Sequence, residues 1–364
     1  MELRNVGFNL RRYMKMKKIT IPKLAQSCDL GTATISNLLN GKNNPNSKTL
    51  LKITEYLGIP FYKLLEDTTP LTSYRFRSNK NLTAREKANR DQFLLDSARW
   101  LKDYKILEDL TGKTIRYSLS DYKQLSPEDA AKKARKELNI AEKEPVSDIV
   151  FDLEKAGIKV RIVSFGFRQT FGISVGPSDN GPAIFVNSFP GITIERQIFT
   201  AAHELGHLLL HITSYDGQWS TENGSEETEA DRFASCFLMP EEAFKEKWDE
   251  YRGASWIDTI LRVKHYFNVS YQTVLHRYCE LTPSYNYSDL SIKFSTFYKE
   301  EYNHDLKDHY EPLALESTAI SETTRFAGLV RDSYENGDIS ISRAAEMLNL
   351  STMQMRELVS KWTI

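Results

Sequence analysis

Two histidines and a glutamate lie close together in the segment RQIFTAAHELGHLLLH, residues 196–211. On an α-helix, His203 and His207 are one turn apart on the same face, so two imidazoles are available to one metal ion. Neutral imidazoles bind zinc without cancelling its charge, and zinc makes its water acidic. Glu204 lies about 100° round the helix, where its carboxylate can accept a proton from that water and pass it to a leaving amine. The spacing predicts Zn²⁺ as cofactor and Glu204 as general base.

A catalytic zinc takes a third protein ligand. His211 is four residues beyond His207, but on a straight helix it lies roughly 12 Å along the axis from His203, too far to share an ion. Proteases that recruit a third histidine nearby break the helix with a glycine, and here that position is Leu209. We therefore reject His211 as a ligand.

The third ligand is instead expected in the segment EETEADRFASCFLMP, residues 226–240. Glu227 and Asp231 are four residues apart on a predicted helix and share a face. Glu227 would complete a His₂Glu set, and Asp231 would accept the free N–H of a ligating histidine. Glu229 lies about 200° round the helix from Glu227, so we expect it to face elsewhere. A lone histidine on an apolar helix is usually a core residue, but this downstream pair favours the metal site.

Peptide hydrolysis also needs a group that stabilises the oxyanion, and a surface that holds the peptide. The runs TFGISV and PAIFVN are predicted strands, and either one has an edge to which an extended peptide could add, or is ordinary sheet interior. The oxyanion candidates lie in amphipathic helices, where packing or capping is the alternative role: Tyr271, His265, His276 and Arg277.

Composition divides the chain into a basic end and an acidic body. Residues 1–66 carry eleven Lys and Arg against four Asp and Glu, although the whole chain of 364 residues has a net charge of −1. This asymmetry indicates a polyanion-binding module attached to another domain. The three cysteines have no zinc-knuckle or disulfide spacing, and no signal peptide or membrane span is expected, so we expect a cytoplasmic protein.

The periodicity of apolar residues predicts a multidomain fold in four parts. Residues 1–67 form an all-α bundle, and residues 68–142 form a linker, EDTTPLTSYRFRSNKN, followed by a helical connector. Residues 143–284 form an α+β domain with a small antiparallel sheet, in which the polar loop TSYDGQWSTENGS joins the two site helices. Residues 285–364 are helical. They end in SRAAEMLNLSTMQMRELV, which resembles a helix-turn-helix pair without a basic surplus, so we favour a structural or docking role.

The two site segments together resemble the ImmA/IrrE-type zinc metallopeptidases over about residues 146–282. The shared pattern is R-x-x-F-T-x-A-H-E-x-x-H, then E-x-E-A-x-x-F-A, then L-M-P. The resemblance implies a gluzincin-like active site with the same ligand set, and cleavage of a transcriptional repressor. Asp231 stands where the family often has asparagine, which also accepts a hydrogen bond from histidine.

The segment KLAQSCDLGTATISNLLNGKNNP, residues 23–45, is similar to Xre/Cro-type helix-turn-helix domains. Ile21 and Thr32 replace glutamines common in that family, so bidentate reading of bases is not expected. Several lysines would meet phosphates: Lys15, Lys17, Lys18, Lys42 and Lys48. The residues expected at the major groove are Thr32, Ala33, Thr34, Ser36 and Asn37. The alternative is a helical bundle that binds protein instead of DNA.

These observations predict a cytosolic DNA-binding regulator with zinc-dependent endopeptidase activity. Its partners would be DNA, a repressor or other protein as substrate, and a second copy of the chain in a homodimer, since operators are commonly two-fold. The alternative is a non-catalytic regulator that senses zinc, or a component of a toxin–antitoxin pair. A closed site with four protein ligands would favour that alternative, and an open site would favour the peptidase.

Overall fold

The structure is a computed structural model. It describes residues 3–42, 45–65, 71–76, 82–215, 224–253, 255–306, 310–320 and 324–362. The chain divides into two compact units. The first takes in residues 1–70 and 81–99, and the second takes in residues 71–80 and 100–364.

The first unit begins with five helices: α1 (Leu3–Met16), α2 (Ile21–Ser27), α3 (Thr32–Leu39), α4 (Ser47–Leu57) and α5 (Tyr62–Leu65). The cap of α2 is Thr20, whose hydroxyl accepts a hydrogen bond from the backbone N–H of Lys23. The cap of α4 is Asn46, whose side chain accepts from the N–H of Thr49. Ser47, which follows Asn46 and is an equally good capping residue, is the first residue of the helix itself.

Leucines and isoleucines from these helices fill the core of the bundle. Leu10, Leu24, Ile35 and Ile53 are each fully buried. The helical bundle predicted at the start of the chain is therefore confirmed, with α2 and α3 joined by a short turn as in a helix-turn-helix pair.

A mixed four-stranded sheet lies in the second unit. Its strands are β1 (Tyr74–Phe76), β2 (Lys159–Val163), β3 (Gly172–Val175) and β4 (Ala183–Asn187), in the order β1-β3-β4-β2. The α+β class is confirmed, but the sheet is not wholly antiparallel, because β2 and β4 run parallel while β3 pairs antiparallel with both β1 and β4.

Strand β1 corrects the prediction of a linker for the stretch that contains it. It has three residues, too few for a visible alternation, and its partner β3 lies about a hundred residues further along the chain. Residues 66–70 and 77–81 of the predicted linker lie outside the described residues.

The remaining helices are α6 (Ala84–Thr111), α7 (Pro127–Glu137), α8 (Ile149–Lys155), α9 (Ile194–Leu210), α10 (Gly224–Leu238), α11 (Glu241–Glu250), α12 (Trp256–Phe267), α13 (Tyr271–Leu281), α14 (Tyr287–Tyr302), α15 (Thr324–Glu335), α16 (Ile341–Met347) and α17 (Thr352–Trp362). The helical end of the chain is confirmed. Most of the predicted polar loop before α10, residues 216–223, lies outside the described residues.

Helix α9 is the centre of this unit, and most of its residues are buried. Helix α10 packs closely against it at Gly206, where an added Cβ would lie 3.0 Å from the ring of Phe233. Phe233 in turn stacks on Phe237, and both rings are fully buried. A glycine on α9 opposite two aromatic rings on α10 therefore sets the distance between the two helices that carry the predicted ligands.

A buried ion pair fixes the first turn of α9. The Nζ of Lys264, on α12, lies 2.9 Å from the Oε1 of Glu195, and these side chains are 1% and 0% exposed. The same Glu195 oxygen accepts from the backbone N–H of Leu315 at 2.8 Å. The pair ties α9, α12 and the segment before α15 together.

Candidate metal centre

Three predicted ligands converge between α9 and α10. The Nε2 of His207 lies 3.0 Å from the Nε2 of His203, and the two carboxylate oxygens of Glu227 lie 3.3 and 3.4 Å from these nitrogens. Ligand atoms on a tetrahedral zinc, about 2.0–2.2 Å from the ion, are about 3.3 Å apart. Among the described residues, His203, His207 and Glu227 are the group whose donor atoms all lie within 4.8 Å of one another.

Hydrogen bonds on the far side of each imidazole orient the two rings. The Nδ1 of His203 lies 2.8 Å from the Oδ1 of Asp231. A carboxylate only accepts, so this nitrogen carries the proton and its Nε2 presents a lone pair. The Nδ1 of His207 lies 3.0 Å from the Nδ1 of His211, whose Nε2 lies 2.9 Å from the Oε2 of Glu229.

This second chain of contacts also fixes a tautomer. Glu229 accepts the Nε2 proton of His211, so the Nδ1 of His211 is an acceptor and His207 donates from its own Nδ1. The Nε2 lone pairs of both histidines then point at each other and at a carboxylate. When both rings are neutral, three electron-rich atoms meet without a proton between them, which is the arrangement of a cation site, so the residues present fit a zinc ion.

The pKa values agree with this interpretation. Burial opposes the protonation of His203, but its hydrogen bonds to Asp231 and Glu227 outweigh burial and raise its pKa to about 9. Burial lowers the pKa of His207 to about 3. Burial also opposes ionisation of Glu227, yet the two histidines hold its pKa well below the usual range. Without a metal ion, a second proton on the Nε2 of His203 thus supplies the positive charge, and a bound metal ion would take the place of that proton.

The predicted base, Glu204, is buried beside this group. Its Oε2 accepts a hydrogen bond from the Oγ of Ser174 at 2.6 Å, and Ser174 accepts one from the hydroxyl of Tyr215 at 2.6 Å. Burial raises the pKa of Glu204, against the attraction of His203 and the bond from Ser174. A carboxylate held in place with a raised pKa has the properties of a general base.

Strand β3 passes directly over Glu204. An added Cβ at Gly172 would lie 2.7 Å from the Oε1 of Glu204 and 2.5 Å from the Cγ2 of Thr200. A side chain at position 172 would therefore displace the base, and only glycine leaves room for it.

Arg75, on β1, reaches the same group and was missed by the sequence analysis. Its guanidinium forms an ion pair with Glu226, and its second nitrogen lies 3.5 Å from the Oε1 of Glu227. Glu226 also accepts from the hydroxyl of Ser214 at 2.9 Å. Sequence spacing carries no signal for these contacts, since Arg75 and Glu226 are 151 residues apart.

The oxyanion candidates are held by other contacts. Tyr271 stacks on Phe294 at 4.6 Å, and His276 stacks on Tyr287 at 3.6 Å. Arg277 is buried, with its Nε donating to the carbonyl oxygen of Met239.

His265 is exposed on α12. Burial lowers the pKa of His276, and the charges of Glu280 and Asp231 partly oppose this effect, so His276 has an electrostatic link to the site through Asp231.

The predicted DNA-contacting residues lie on α3 and just after it. Thr32, Ala33 and Thr34 are exposed, Ser36 and Asn37 are half-buried, and Lys42 is exposed. Ile35 and Leu38, on the opposite face of α3, are buried in the bundle.

The second unit contains an α+β domain in which two histidines and a glutamate from a helix pair converge beside a small sheet, and His₂Glu is a ligand set of catalytic zinc sites. Comparison with known families agrees. Residues 153–278 match the family model of the IrrE N-terminal-like domain, a peptidase family, and residues 10–64 match the helix-turn-helix model. No curated protein matches the chain.

The resemblance predicted from the two motifs is therefore confirmed. The chain carries a DNA-binding type of helix-turn-helix domain followed by a peptidase-family domain. Within the described residues, no helix combines the length and apolar character that crossing a bilayer requires.

Proposed function

We propose that this protein is a DNA-binding regulator whose second domain is a zinc-dependent endopeptidase. The observation that carries the proposal is the convergence of His203, His207 and Glu227 beside the buried carboxylate of Glu204. The substrate would be a transcriptional repressor or a partner protein, in the cytoplasm. We keep the predicted domain limits, 1–67, 68–142, 143–284 and 285–364, as part of this proposal.

Each residue of the site has a role in peptide hydrolysis. When bound, zinc is a Lewis acid that lowers the pKa of water and polarises the scissile carbonyl. Glu204 takes a proton from the attacking water and returns it to the leaving amine. Ser174 holds the carboxylate of Glu204, and Asp231 holds the His203 ring in the tautomer that leaves Nε2 free. His276 remains our candidate for stabilising the oxyanion.

The non-catalytic alternative, a zinc-sensing regulator or a toxin–antitoxin component, is less well supported. A structural zinc site is closed by four protein ligands, whereas the cluster found in the described part of the chain has three. A structural site also has no need of a buried carboxylate held by a serine hydroxyl that itself accepts a hydrogen bond from a tyrosine.

The first domain would bind DNA through α3. Thr32, Ala33 and Thr34 would face the major groove together with Ser36 and Asn37, and Lys42 would meet a phosphate. The exposure of Thr32, Ala33, Thr34 and Lys42 supports this role. A homodimer would match a two-fold operator.

The test of the enzyme is Glu204→Gln, which keeps the size of the side chain and removes the base. Zinc-loaded wild-type protein and this variant are incubated with a proteome-derived peptide library and with candidate repressors, and fragments are read by mass spectrometry. We expect the variant to retain one zinc per chain and to cleave no more than a chelated control. The exposed Glu300→Gln is the matched control and should cleave like the wild type. Normal cleavage by Glu204→Gln would refute the role of the base.

A further inference from the structure

Strand β1 occupies the open edge of the sheet next to the metal centre. It pairs antiparallel with β3, with Tyr74 opposite Val175 and Arg75 opposite Ser174. Strand β3 is also the strand that meets the base, through the bond from Ser174 to Glu204. An extended peptide that adds to a sheet beside these groups would take this same edge. The chain's own residues therefore lie where such a peptide would pair.

The side chain of Arg75 is seated beside the metal ligands. It is 6% exposed and forms its ion pair with Glu226, whose other oxygen accepts from Ser214. Glu226 is not one of the three converging ligands, so its charge is available to a cation on the added strand. Glu226 and Ser214 thus form an acidic pocket that fits one basic side chain at a fixed register on β3.

A separate anchor holds the start of this strand. The carboxylate of Asp179 accepts from the backbone N–H groups of Thr72 and Ser73, both at 2.6 Å, and from the hydroxyl of Thr72 at 2.9 Å. The N–H of Gly176 donates to the carbonyl oxygen of Ser73 at 2.8 Å. Asp179 lies in the turn after β3, and none of these contacts involves a predicted ligand or the base.

We propose that Glu226 and Ser214 are a specificity subsite for a basic residue of the substrate, and that residues 71–76 fill this subsite and the β3 edge as a built-in inhibitory strand. The proposal rests on the peptidase function proposed above. The segment lies outside residues 153–278, which match the peptidase-family model. Cleavage then requires the strand to leave and a basic-residue peptide to replace it.

Binding of a peptide tests occupancy of the edge without relying on catalysis. The probe is a fluorescein-labelled copy of residues 70–78, measured by anisotropy against zinc-loaded Glu204→Gln protein with and without Arg75→Ser. In the Arg75→Ser protein, the chain's own strand β1 loses its ion pair with Glu226, while the probe keeps its arginine. We therefore expect the probe to bind this protein at least tenfold more tightly than it binds the protein with Arg75. A probe that carries Arg75→Gln should not bind the Arg75→Ser protein more tightly than it binds the protein with Arg75. Equal binding to both proteins, or no binding to either, overturns the proposal.

A reversible disulfide between β1 and β3 tests whether β1 slows cleavage when it is held on the sheet. The N–H of Gly176 donates to the carbonyl oxygen of Ser73, so these two residues form a hydrogen-bonded pair between the strands. Tyr74 and Val175, the next pair along, are therefore a non-hydrogen-bonded pair. The Cα atoms of such a pair are about 4.5 Å apart, within disulfide range. Oxidised Tyr74→Cys/Val175→Cys protein should cleave the peptide library at least tenfold more slowly than the same protein after reduction, and Val175→Cys alone should not respond to reductant.

Release of the anchor should have the opposite effect. The Asp179→Ala protein should cleave the peptide library faster than the wild type. Its fragments should be enriched in a basic residue at one position relative to the cleaved bond. The control is Asp109→Ala, an exposed site, which should not change the cleavage rate. Equal cleavage rates in the oxidised and the reduced double-cysteine protein would overturn the inhibitory role of β1. If no variant cleaves at all, the peptidase function fails, and the peptide-binding result still decides whether the strand occupies the edge.

Discussion

His207 lies in the last turn of α9, and its Nδ1 lies 3.0 Å from the Nδ1 of His211, the C-cap residue that follows the helix. His211 is thus a partner of a proposed ligand and not a member of the converging group. Glu229 closes this chain of contacts from α10 at 2.9 Å, although the sequence analysis expected it to face elsewhere. A ligating histidine whose second nitrogen is held in this way keeps its ring oriented and its basicity raised.

Replacing His211 by phenylalanine should weaken zinc binding by about 10–100-fold, because His207 loses the acceptor that fixes its tautomer. Affinity is measured by competition with a chelating dye. Glu229→Gln keeps an acceptor for the Nε2 proton of His211 and should have a smaller effect. Wild-type affinity in His211→Phe would contradict the positioning role, and complete loss of zinc would mean that His211 is itself a ligand.

Gly172→Ala should lower kcat by about 10²-fold while zinc affinity changes by less than about threefold. The added methyl would lie 2.7 Å from the Oε1 of Glu204, so the base must shift although the ligands need not. The control is Gly224→Ala, since the structure shows open space around an added Cβ there. Loss of zinc from Gly172→Ala, or an unchanged kcat, would show that β3 does not fix the base.

The sequence predicts the local parts of this site because their spacing is a property of single helices. His203 and His207 share one face of α9, and Glu227 and Asp231 share one face of α10, whatever the rest of the fold does. The apolar residues that pack these helices, such as Phe233, follow the same period.

Contacts between distant segments are not predictable in this way. Arg75 and Ser174 reach the site from two strands, and nothing in their own neighbourhoods marks them. The three residues of β1 are too short a run to show a period, and the parallel pairing of β2 with β4 depends on a crossover that composition does not reveal. The sequence therefore predicts the proposed ligands and the fold class, whereas the structure is needed to identify Arg75 and Ser174, which contact the site from distant strands.

Lys42→Ala should weaken DNA binding by a similar factor on every duplex and reduce the slope of log K against log salt by about 1, because one phosphate contact is lost. Lys42 is exposed just after α3, where a phosphate contact is expected. The measurement is a titration of one selected duplex at several salt concentrations, with Lys245→Ala in the second unit as control. An unchanged slope would remove Lys42 from the proposed interface.

Glu311→Gln should stabilise the protein at pH 8.5 and change its stability little at pH 5. Burial raises the pKa of Glu311 to about 7 from 4.5, against the attraction of Lys264. The folded protein then holds this proton more tightly than the unfolded chain does. The wild type therefore loses stability as the pH rises from about 4.5 to about 7, and above that range it carries the full cost of the buried charge.

This cost is of the order of 1–3 kcal/mol, since the side chain is 7% exposed and also caps α13 through the N–H of Tyr271. Denaturant unfolding of the zinc-loaded protein at both pH values measures the difference between the free energies of unfolding of variant and wild type. Glu316→Gln, in the same segment, is the control. A difference that is equal at both pH values, or larger at pH 5, would mean that Glu311 is ionised in the folded protein across this range and that Lys264 balances Glu195 and Glu311 together.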